Sequence, residues 1–381
     1  MLPSLHSHNF RCSGFPATSL GANRGMQAKI AMLNYGRTIM RSECRPVSQT
    51  NVGDGLMHAL VTGAAGFIGS RLALRLLQSN QQVTGLDSFS DYYDVALKRA
   101  NAEAVTRSGA SFIEGDINSL DLDAALGDID VIFHLAGQPG VRASWGADFP
   151  VYTHSNIDAT QRLLEACRDS KRLKRFVYAS SSSVYGDAEC YPTSEDLRPQ
   201  PVSPYGVTKL AAEHLCCLYA TNFGVPTVSL RYFTVYGPGQ RPDMAFTRFI
   251  TAAVHGRELT IFGSGEQVRD FTYVDDVIDA NLLAATGDVR PGVVLNVAGG
   301  SHTTVNQVLA ILEELTDSTL KRRRHDGIAG DVQQTGGDTS AIRSTLGWEP
   351  SVGLREGLSR QLEWVRKAIA GNGDVADHRG N

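Results

Sequence analysis

Tyr205 and Lys209 stand four residues apart in the run Tyr205-Gly206-Val207-Thr208-Lys209, a spacing that puts both on one face of a helix. A free tyrosine hydroxyl, with a pKa near 10, is too weak a base at neutral pH. A nearby ammonium stabilises the phenolate and lowers that value. A phenolate held in this way can take the proton of a substrate hydroxyl. A second candidate is Ser180-Ser181-Ser182-Ser183, followed by Val184-Tyr185-Gly186, where a hydroxyl at a strand end can hydrogen-bond the reacting oxygen. Neither is decisive alone, because Tyr-x-x-x-Lys arises by chance on solvated helix faces and serine-rich strand ends are usually turns.

The third motif makes the set specific. Gly63-Ala64-Ala65-Gly66-Phe67-Ile68-Gly69 is a G-x-x-G-x-x-G turn between a strand and a helix. Glycine permits the tight turn and lets backbone N–H groups approach a pyrophosphate, and the helix N-terminus adds a favourable dipole. Asp87 ends the second strand 18 residues after Gly69. A carboxylate there accepts hydrogen bonds from an adenine-ribose 2′-hydroxyl and repels a 2′-phosphate, so NAD is expected rather than NADP. NAD+ would take a hydride while Tyr205 takes the proton. Asp116, after the third strand, is a candidate for adenine contact.

Such groups need rigid strand ends, and the pattern supplies them. Strands are expected at His58–Gly63, Gln82–Asp87, Ser111–Asp116, Asp130–Ala136, Arg175–Ser180 and Thr227–Phe233, with helices over Phe67–Ser79, Thr153–Asp169 and Pro204–Asn222. Near-continuous apolar strands with helices between them imply a doubly wound parallel α/β sheet of Rossmann type. Beyond residue 236, a Pro/Gly-rich loop, a helix at Ala245–His255, a hairpin region over Gly256–Asp270 and helices at Val274–Ala285 and Val305–Thr316 suggest a smaller lobe. The expected division is a cofactor-binding domain over 57–236, with 274–298 returning to it. A substrate-binding lobe over 237–273 and 299–366 and a flexible tail over 367–381 complete it.

Composition narrows the function classes. The 381 residues carry a net charge of −4, which argues against a nucleic-acid binder. No apolar run approaches the roughly 20 residues of a membrane helix. Six cysteines without C-x-x-C spacing suggest neither a disulfide framework nor a zinc site, and no metal is expected. Residues 1–56 carry six basic and two acidic side chains, so this segment is +4 and residues 57–381 are −8. It lacks the apolar core of a secretory signal. It reads either as an organellar transit peptide or as a disordered or misassigned start, and the strand beginning at Met57 favours the latter. The expected location is the cytoplasm.

The ordered set Thr62–Gly69, Asp87, His134-Leu135-Ala136-Gly137, Ser180–Gly186 and Tyr205–Lys209 resembles the extended short-chain dehydrogenase/reductases. Two further stretches, Arg231-Tyr232-Phe233-Thr234-Val235-Tyr236-Gly237-Pro238 and Val268-Arg269-Asp270-Phe271-Thr272-Tyr273-Val274-Asp275-Asp276, resemble the NAD-dependent sugar-nucleotide epimerase/dehydratase branch. The likeness spans about residues 57–365. It implies that Ser181 is the catalytic hydroxyl, with Ser182 beside the substrate. It also implies that Gly63, Gly66, Phe67, Ile68, Gly69, Asp87, Asp116, Ile117, Leu135, Ala136, Gly137, Tyr205 and Lys209 line the cofactor. Helices 153–169 and 204–222 would form a four-helix homodimer interface.

Within that branch, dehydratases carry Thr-Asp-Glu where this chain has Ser181-Ser182-Ser183, and UDP-glucose 4-epimerases usually carry Asn where it has Thr234. The stretches Ser90–Asp94, Gln138–Arg142 and Phe233–Ala245 most resemble UDP-glucuronate 4-epimerases. The resemblance implies that Thr234 and Arg241 face the sugar carboxylate, that Arg142 assists or contacts phosphate, and that Arg269 binds the diphosphate. The family often has a second arginine before Gly-Asp near the C-terminus. Here the run is Ile328-Ala329-Gly330-Asp331, so Asp331 is a substrate-side candidate without that neighbour. The implied reaction is C4 epimerisation of UDP-glucuronate to UDP-galacturonate through a 4-keto sugar. The alternatives are a UDP-glucose 4-epimerase, a UDP-glucuronate decarboxylase or an NAD-binding regulatory protein.

Overall fold

The computed structural model of the chain describes residues 56–326, 330 and 332–373. Residues 1–55, Asp331 and the last eight residues, each carrying expectations from the sequence, lie outside the described residues. Six strands come first: β1 (His58–Thr62), β2 (Gln82–Asp87), β3 (Ser111–Glu114), β4 (Val131–His134), β5 (Arg175–Ser181) and β6 (Thr227–Tyr232). They are followed by β7 (Thr234–Tyr236), β8 (Leu259–Phe262), β9 (Val268–Arg269), β10 (Phe271–Tyr273), β11 (Val293–Val297), β12 (Thr303–Thr304) and β13 (Arg322–His325).

Seven of these form one parallel sheet in the order β11-β6-β5-β4-β1-β2-β3. Successive side chains of a strand point to opposite faces, and the core obeys this. Ala59, Val61, Val131, Phe133, Val177 and Ala179 pack on one face with the Phe67–Gln78 and Val274–Thr286 helices. Leu60, Ile132, Phe176 and Tyr178 pack on the other, against the Ala159–Cys167 and Pro204–Phe223 helices. Strands apolar on both faces need cover on both, which is why their sequences read as unbroken apolar runs. Strand order reverses between β1 and β4, and loops leaving their C-terminal ends open a crevice there.

Two buried ion pairs tie the covering helices together. Arg71 donates to Asp275 and Arg75 to Asp279, each at 2.8 Å. The matched four-residue spacing places the pairs one turn apart. Asp276 instead accepts from Ser351 at 2.6 Å and from the Val352 amide at 3.1 Å, fastening the C-terminal segment.

Three expectations need correction. The Gly256–Asp270 region is not a hairpin. β8 pairs in parallel with β13, and β9 pairs antiparallel with β12. The glycines of the Gly263-Ser264-Gly265 turn, at φ +73° and +80°, break the local register, and the partners lie far along the chain. The helix expected from 153 begins at Phe149 and passes through a π-helical turn over Thr153–Asp158 before continuing over Ala159–Cys167. The last helix runs from Leu354 to Gly373, past residue 367, because its amphipathic pattern outlasts the polar composition that suggested a tail. No helix among the described residues is long and apolar enough to cross a membrane.

Candidate active site

The β1 turn is built for close approach. Gly63 has φ +70°, and a Cβ there would lie 2.9 Å from the Ala136 amide nitrogen in the loop after β4. A Cβ on Gly69 would lie 2.2 Å from the Gly63 carbonyl oxygen. Gly66 caps the Phe67–Gln78 helix without a side-chain hydrogen bond, so N–H groups of the first turn remain for a ligand. Asp87, buried at the end of β2, accepts from the amides of Ala65 at 3.0 Å and Phe89 at 2.8 Å. These bonds orient its carboxylate at the cleft wall.

The chemical groups meet at the ends of β5 and the Pro204–Phe223 helix. Ser203 caps that helix by accepting from Gly206 N–H at 3.1 Å, with Pro204 at its first position. Both features favour a helix start, so Tyr205 sits in the first turn. A Cβ on Gly206 would lie 2.5 Å from the Ser183 carbonyl oxygen, which is how the helix start nests on the serine run. Tyr205 is hydrogen-bonded to Ser181. The same cleft is lined by Gly63, Gly66–Gly69, Asp87, Asp116, Ile117, Leu135–Gly137, Ser181, Ser182, Tyr205, Lys209, Thr234 and Arg241.

The electrostatics differ from expectation in one respect. Burial pushes the Tyr205 hydroxyl above its ordinary pKa, with the Ser181 hydrogen bond and the Arg241 charge acting the other way. Burial also pushes Lys209 down to about 8, against the pull of Cys216 and Glu213. The depression of Tyr205 by Lys209, expected from their spacing, is therefore absent in the protein alone. Desolvation outweighs the Ser181 hydrogen bond and the Arg241 charge, and the phenol is protonated at neutral pH. Lys209 is 7% exposed, and its ammonium lies 4.5 Å from the centre of the Tyr178 ring. Lys209 and the Gly63–Gly69 turn line the same cleft, and an ammonium together with a glycine turn fits a ligand bearing hydroxyls and a diphosphate.

Four expected residues, Asp116, Arg142, Arg269 and Arg241, have partners within the protein. Asp116 bonds His154 at 2.9 Å and accepts from Asn118 N–H. The Arg142 guanidinium stacks on Phe262 at 4.4 Å and is absent from the cleft lining. Arg269 donates to the carbonyls of Val332 at 2.6 Å and of Val268 at 2.8 Å, also outside that lining. Asp331 lies outside the described residues. Arg241 does line the cleft, and it forms a bidentate pair with Asp243.

Several contributors escaped sequence reasoning. Asn156, in the π-helical turn, accepts from Gln138 N–H at 2.7 Å and donates to Gln138 O and to Thr208 Oγ1. Thr208 in turn donates to the Tyr205 carbonyl at 2.8 Å. His134 bonds Thr62 through Nδ1 and Thr160 through Nε2. Thr160 donates to the Asn156 carbonyl, so the histidine carries its proton on Nε2. Burial pushes its pKa down to about 3, which keeps this link between β1 and the Ala159–Cys167 helix neutral. Below the serines, Glu213 holds Arg231 through two bonds of 2.6 and 2.9 Å and accepts from Ser180 at 2.6 Å. Lys98, buried beside Asp87, also lines the cleft. Only the π-helical turn had a readable signal, the polar run Thr153-His154-Ser155-Asn156 inside a helix. Among the described residues no cluster of three His, Cys, Asp or Glu side chains could hold a metal.

Comparison with known proteins bears on the whole folded part. The NAD dependent epimerase/dehydratase family model matches residues 59–298. An uncharacterised UDP-glucose epimerase of Bacillus subtilis is 41% identical over 317 residues, covering 83% of this chain and all of that protein. A UDP-glucuronate 4-epimerase of Thermodesulfobacterium geofontis is 38% identical over 82% of this chain and 97% of its own length. The crystal structure of UDP-glucuronic acid 4-epimerase from Bacillus cereus with UDP-glucuronic acid and NAD superposes with a TM-score of 0.79 at 44% identity, over 82% of this chain and 99% of that one. With the glycine cradle, Asp87 and the Ser181–Tyr205–Lys209 cluster in one cleft, these matches establish that the chain belongs to the NAD dependent epimerase/dehydratase family.

Proposed function

We propose that the chain epimerises C4 of a UDP-hexuronic acid with NAD, converting UDP-glucuronate to UDP-galacturonate. The observation that carries this reading is Arg241. It lines the same cleft as Tyr205, Ser181 and Thr234, and its charge acts on Tyr205. A guanidinium is suited to a planar carboxylate. The 44%-identical Bacillus cereus enzyme, whose structure holds UDP-glucuronic acid and NAD, supports it further.

When bound, NAD+ supplies reversible hydride chemistry at C4 and a positive charge beside the phenol. Tyr205 removes the C4 hydroxyl proton and later returns one, while Ser181 holds that oxygen. Lys209 meets the cofactor ribose, Asp87 the adenine ribose, and Asp116, Ile117 and Leu135–Gly137 complete the cofactor wall. The diphosphate stays anchored while the 4-keto sugar turns over and presents its other face, with Ser182 at the substrate side of the cleft. A 4-keto-uronic acid is a β-keto acid and loses CO₂ readily. Thr234 and Arg241 therefore hold the carboxylate away from the geometry that cleaves it. Residues 57–236 with 274–298 serve the cofactor, and 237–273 with 299–366 serve the sugar nucleotide.

The working form is a cytoplasmic homodimer joined through the Phe149–Cys167 and Pro204–Phe223 helices. Trp145, Phe149, Val202 and Val207 line one exposed apolar groove there, and Leu218 and Phe223 are also exposed, the kind of patch that marks an association surface. Light scattering that gave a monomer mass would reject the dimer.

The 41%-identical relative described as a UDP-glucose epimerase keeps UDP-glucose as a second reading. Incubating the full chain with UDP-glucuronate and with UDP-glucose, and identifying products by mass and chromatography, decides between them. UDP-galacturonate is expected from the first. Conversion of UDP-glucose alone, or release of CO₂ and a UDP-pentose, would overturn the assignment.

A further inference from the structure

The arginine that faces the cleft is braced from outside it. A guanidinium has five N–H donors on two usable edges. Arg241 commits the edge formed by Nε and Nη2 to Asp243, donating to its two carboxylate oxygens at 2.9 Å each. Arg241 and Met244 line the cleft, whereas Asp243 does not. Asp243 thus approaches from behind, leaving Nη1 and the second Nη2 hydrogen as the open edge. Tyr92, also a cleft residue, has its ring 5.7 Å from the guanidinium carbon.

The backbone beneath Arg241 is fastened as well. Gln240, buried, donates to the Val235 carbonyl at 3.0 Å. Its own side-chain oxygen accepts from Thr247 N–H and from Gln361, each at 3.0 Å. Gln361, fully buried on the C-terminal helix, accepts from Gly237 N–H at 3.0 Å. With both ends of the Gly237–Gln240 turn pinned, the remaining freedom is rotation of the Arg241 side chain, and that is what Asp243 restrains.

We propose that Asp243 is a specificity-positioning residue. By taking the side edge of Arg241 it presents the end edge as a ready fork for a sugar carboxylate, and so selects acidic over neutral nucleotide sugars. This rests on the reading that Arg241 receives the substrate carboxylate. A neutral hydroxymethyl group gains little from an oriented fork, so the effect is confined to the acidic sugar. The opposite role, in which Asp243 competes with the substrate for Arg241, predicts the opposite sign.

The test measures binding of UDP-glucuronate and UDP-glucose to the NAD-loaded full chain by calorimetry, with KM and kcat for UDP-glucuronate, for Asp243→Asn, Asp243→Glu and Arg241→Met. Asp243→Asn is expected to weaken UDP-glucuronate binding and raise its KM by about tenfold, the loss of one charge-assisted arrangement. Its kcat should move far less, and UDP-glucose binding should shift by less than about twofold. Asp243→Glu, which keeps the charge, should recover part of the loss. Tighter or unchanged UDP-glucuronate binding in Asp243→Asn overturns the proposal, and so does a parallel loss for both sugars, which would mark a structural role. Arg241→Met separates the underlying reading. If that variant keeps the preference for UDP-glucuronate, the carboxylate site itself is misplaced and the proposal falls with it. If it loses the preference while Asp243→Asn does not, only the positioning role fails.

Discussion

At the cofactor end of the cleft, Gly63 follows β1, Gly69 lies in the first turn of the next helix, Asp87 ends β2 and Leu135–Gly137 follow β4, all at the ends of three adjacent strands of one sheet. At the sugar end, Thr234 comes from β7 and Arg241 from a loop pinned by Gln361 on the last helix. The cofactor end is positioned by a ladder of backbone hydrogen bonds and by glycine packing. The Arg241 loop at the sugar end is positioned by side-chain bonds to Gln361, more than 120 residues further along the chain. One can be altered only by breaking the sheet, whereas the other can be retuned one contact at a time.

The largest expected effect crosses both ends. Tyr205→Phe should lower kcat by roughly 10³-fold or more while NAD remains bound. Retained turnover would remove Tyr205 as the base. Next is the buried pair beneath the serines. Glu213→Ala strands Arg231, which is 4% exposed, and should cost about 3–5 kcal/mol in denaturant unfolding. A loss below 1 kcal/mol would mean that the pair carries no positional role. Gly69→Ala tests the cofactor end alone. Its new Cβ would press on the Gly63 carbonyl oxygen, so NAD content should fall, with about 1–3 kcal/mol of destabilisation. Full NAD occupancy in that variant would contradict the rigidity ascribed to the cradle.

Acidity probes the same rigidity more gently. The pKa of His134 is about 3 when folded, against about 6.5 when unfolded. Between these values the unfolded chain binds the extra proton, so stability rises with pH and is lost as pH falls below about 6.5. The slope contributed by this residue is at most about 1.4 kcal/mol per pH unit. Melting curves between pH 5 and 6.5 should show it, and His134→Gln should flatten it. An unchanged slope would mean that His134 is not the group responsible. The smallest effect belongs to the periphery of the sugar end. Arg142 is exposed and stacks on Phe262, so Arg142→Ala should change KM by less than about threefold. A tenfold rise would return Arg142 to the substrate site.

These differences also explain what could be read in advance. The parallel doubly wound sheet, the glycine turn and the positions of Asp87, Tyr205 and Lys209 at one cleft are legible because each rests on a local pattern at a strand end or helix start. Asn156 and His134 are legible only as members of the polar run Thr153–Asn156 and of the His134–Gly137 motif, because the hydrogen bonds that give them their roles reach Thr208 and Thr62 across the fold. Arg142 and Arg269 were read as ligand contacts from their type and motif. Their geometry is decided by Phe262 and by the carbonyls of Val332 and Val268, which come from other parts of the fold. The Gly256–Asp270 region was misread for the same reason, as both of its strands pair with distant ones.

The sequence by itself determined the doubly wound sheet and the glycine turn and marked the candidate reacting side chains, because helix and strand periodicity and glycine's freedom at φ +70° act over a few residues. Only the tertiary structure decided the charge state of Tyr205 and the direction in which Arg241 points. Desolvation depends on everything packed around a group, and an arginine's free edge depends on which carboxylate has already taken the other.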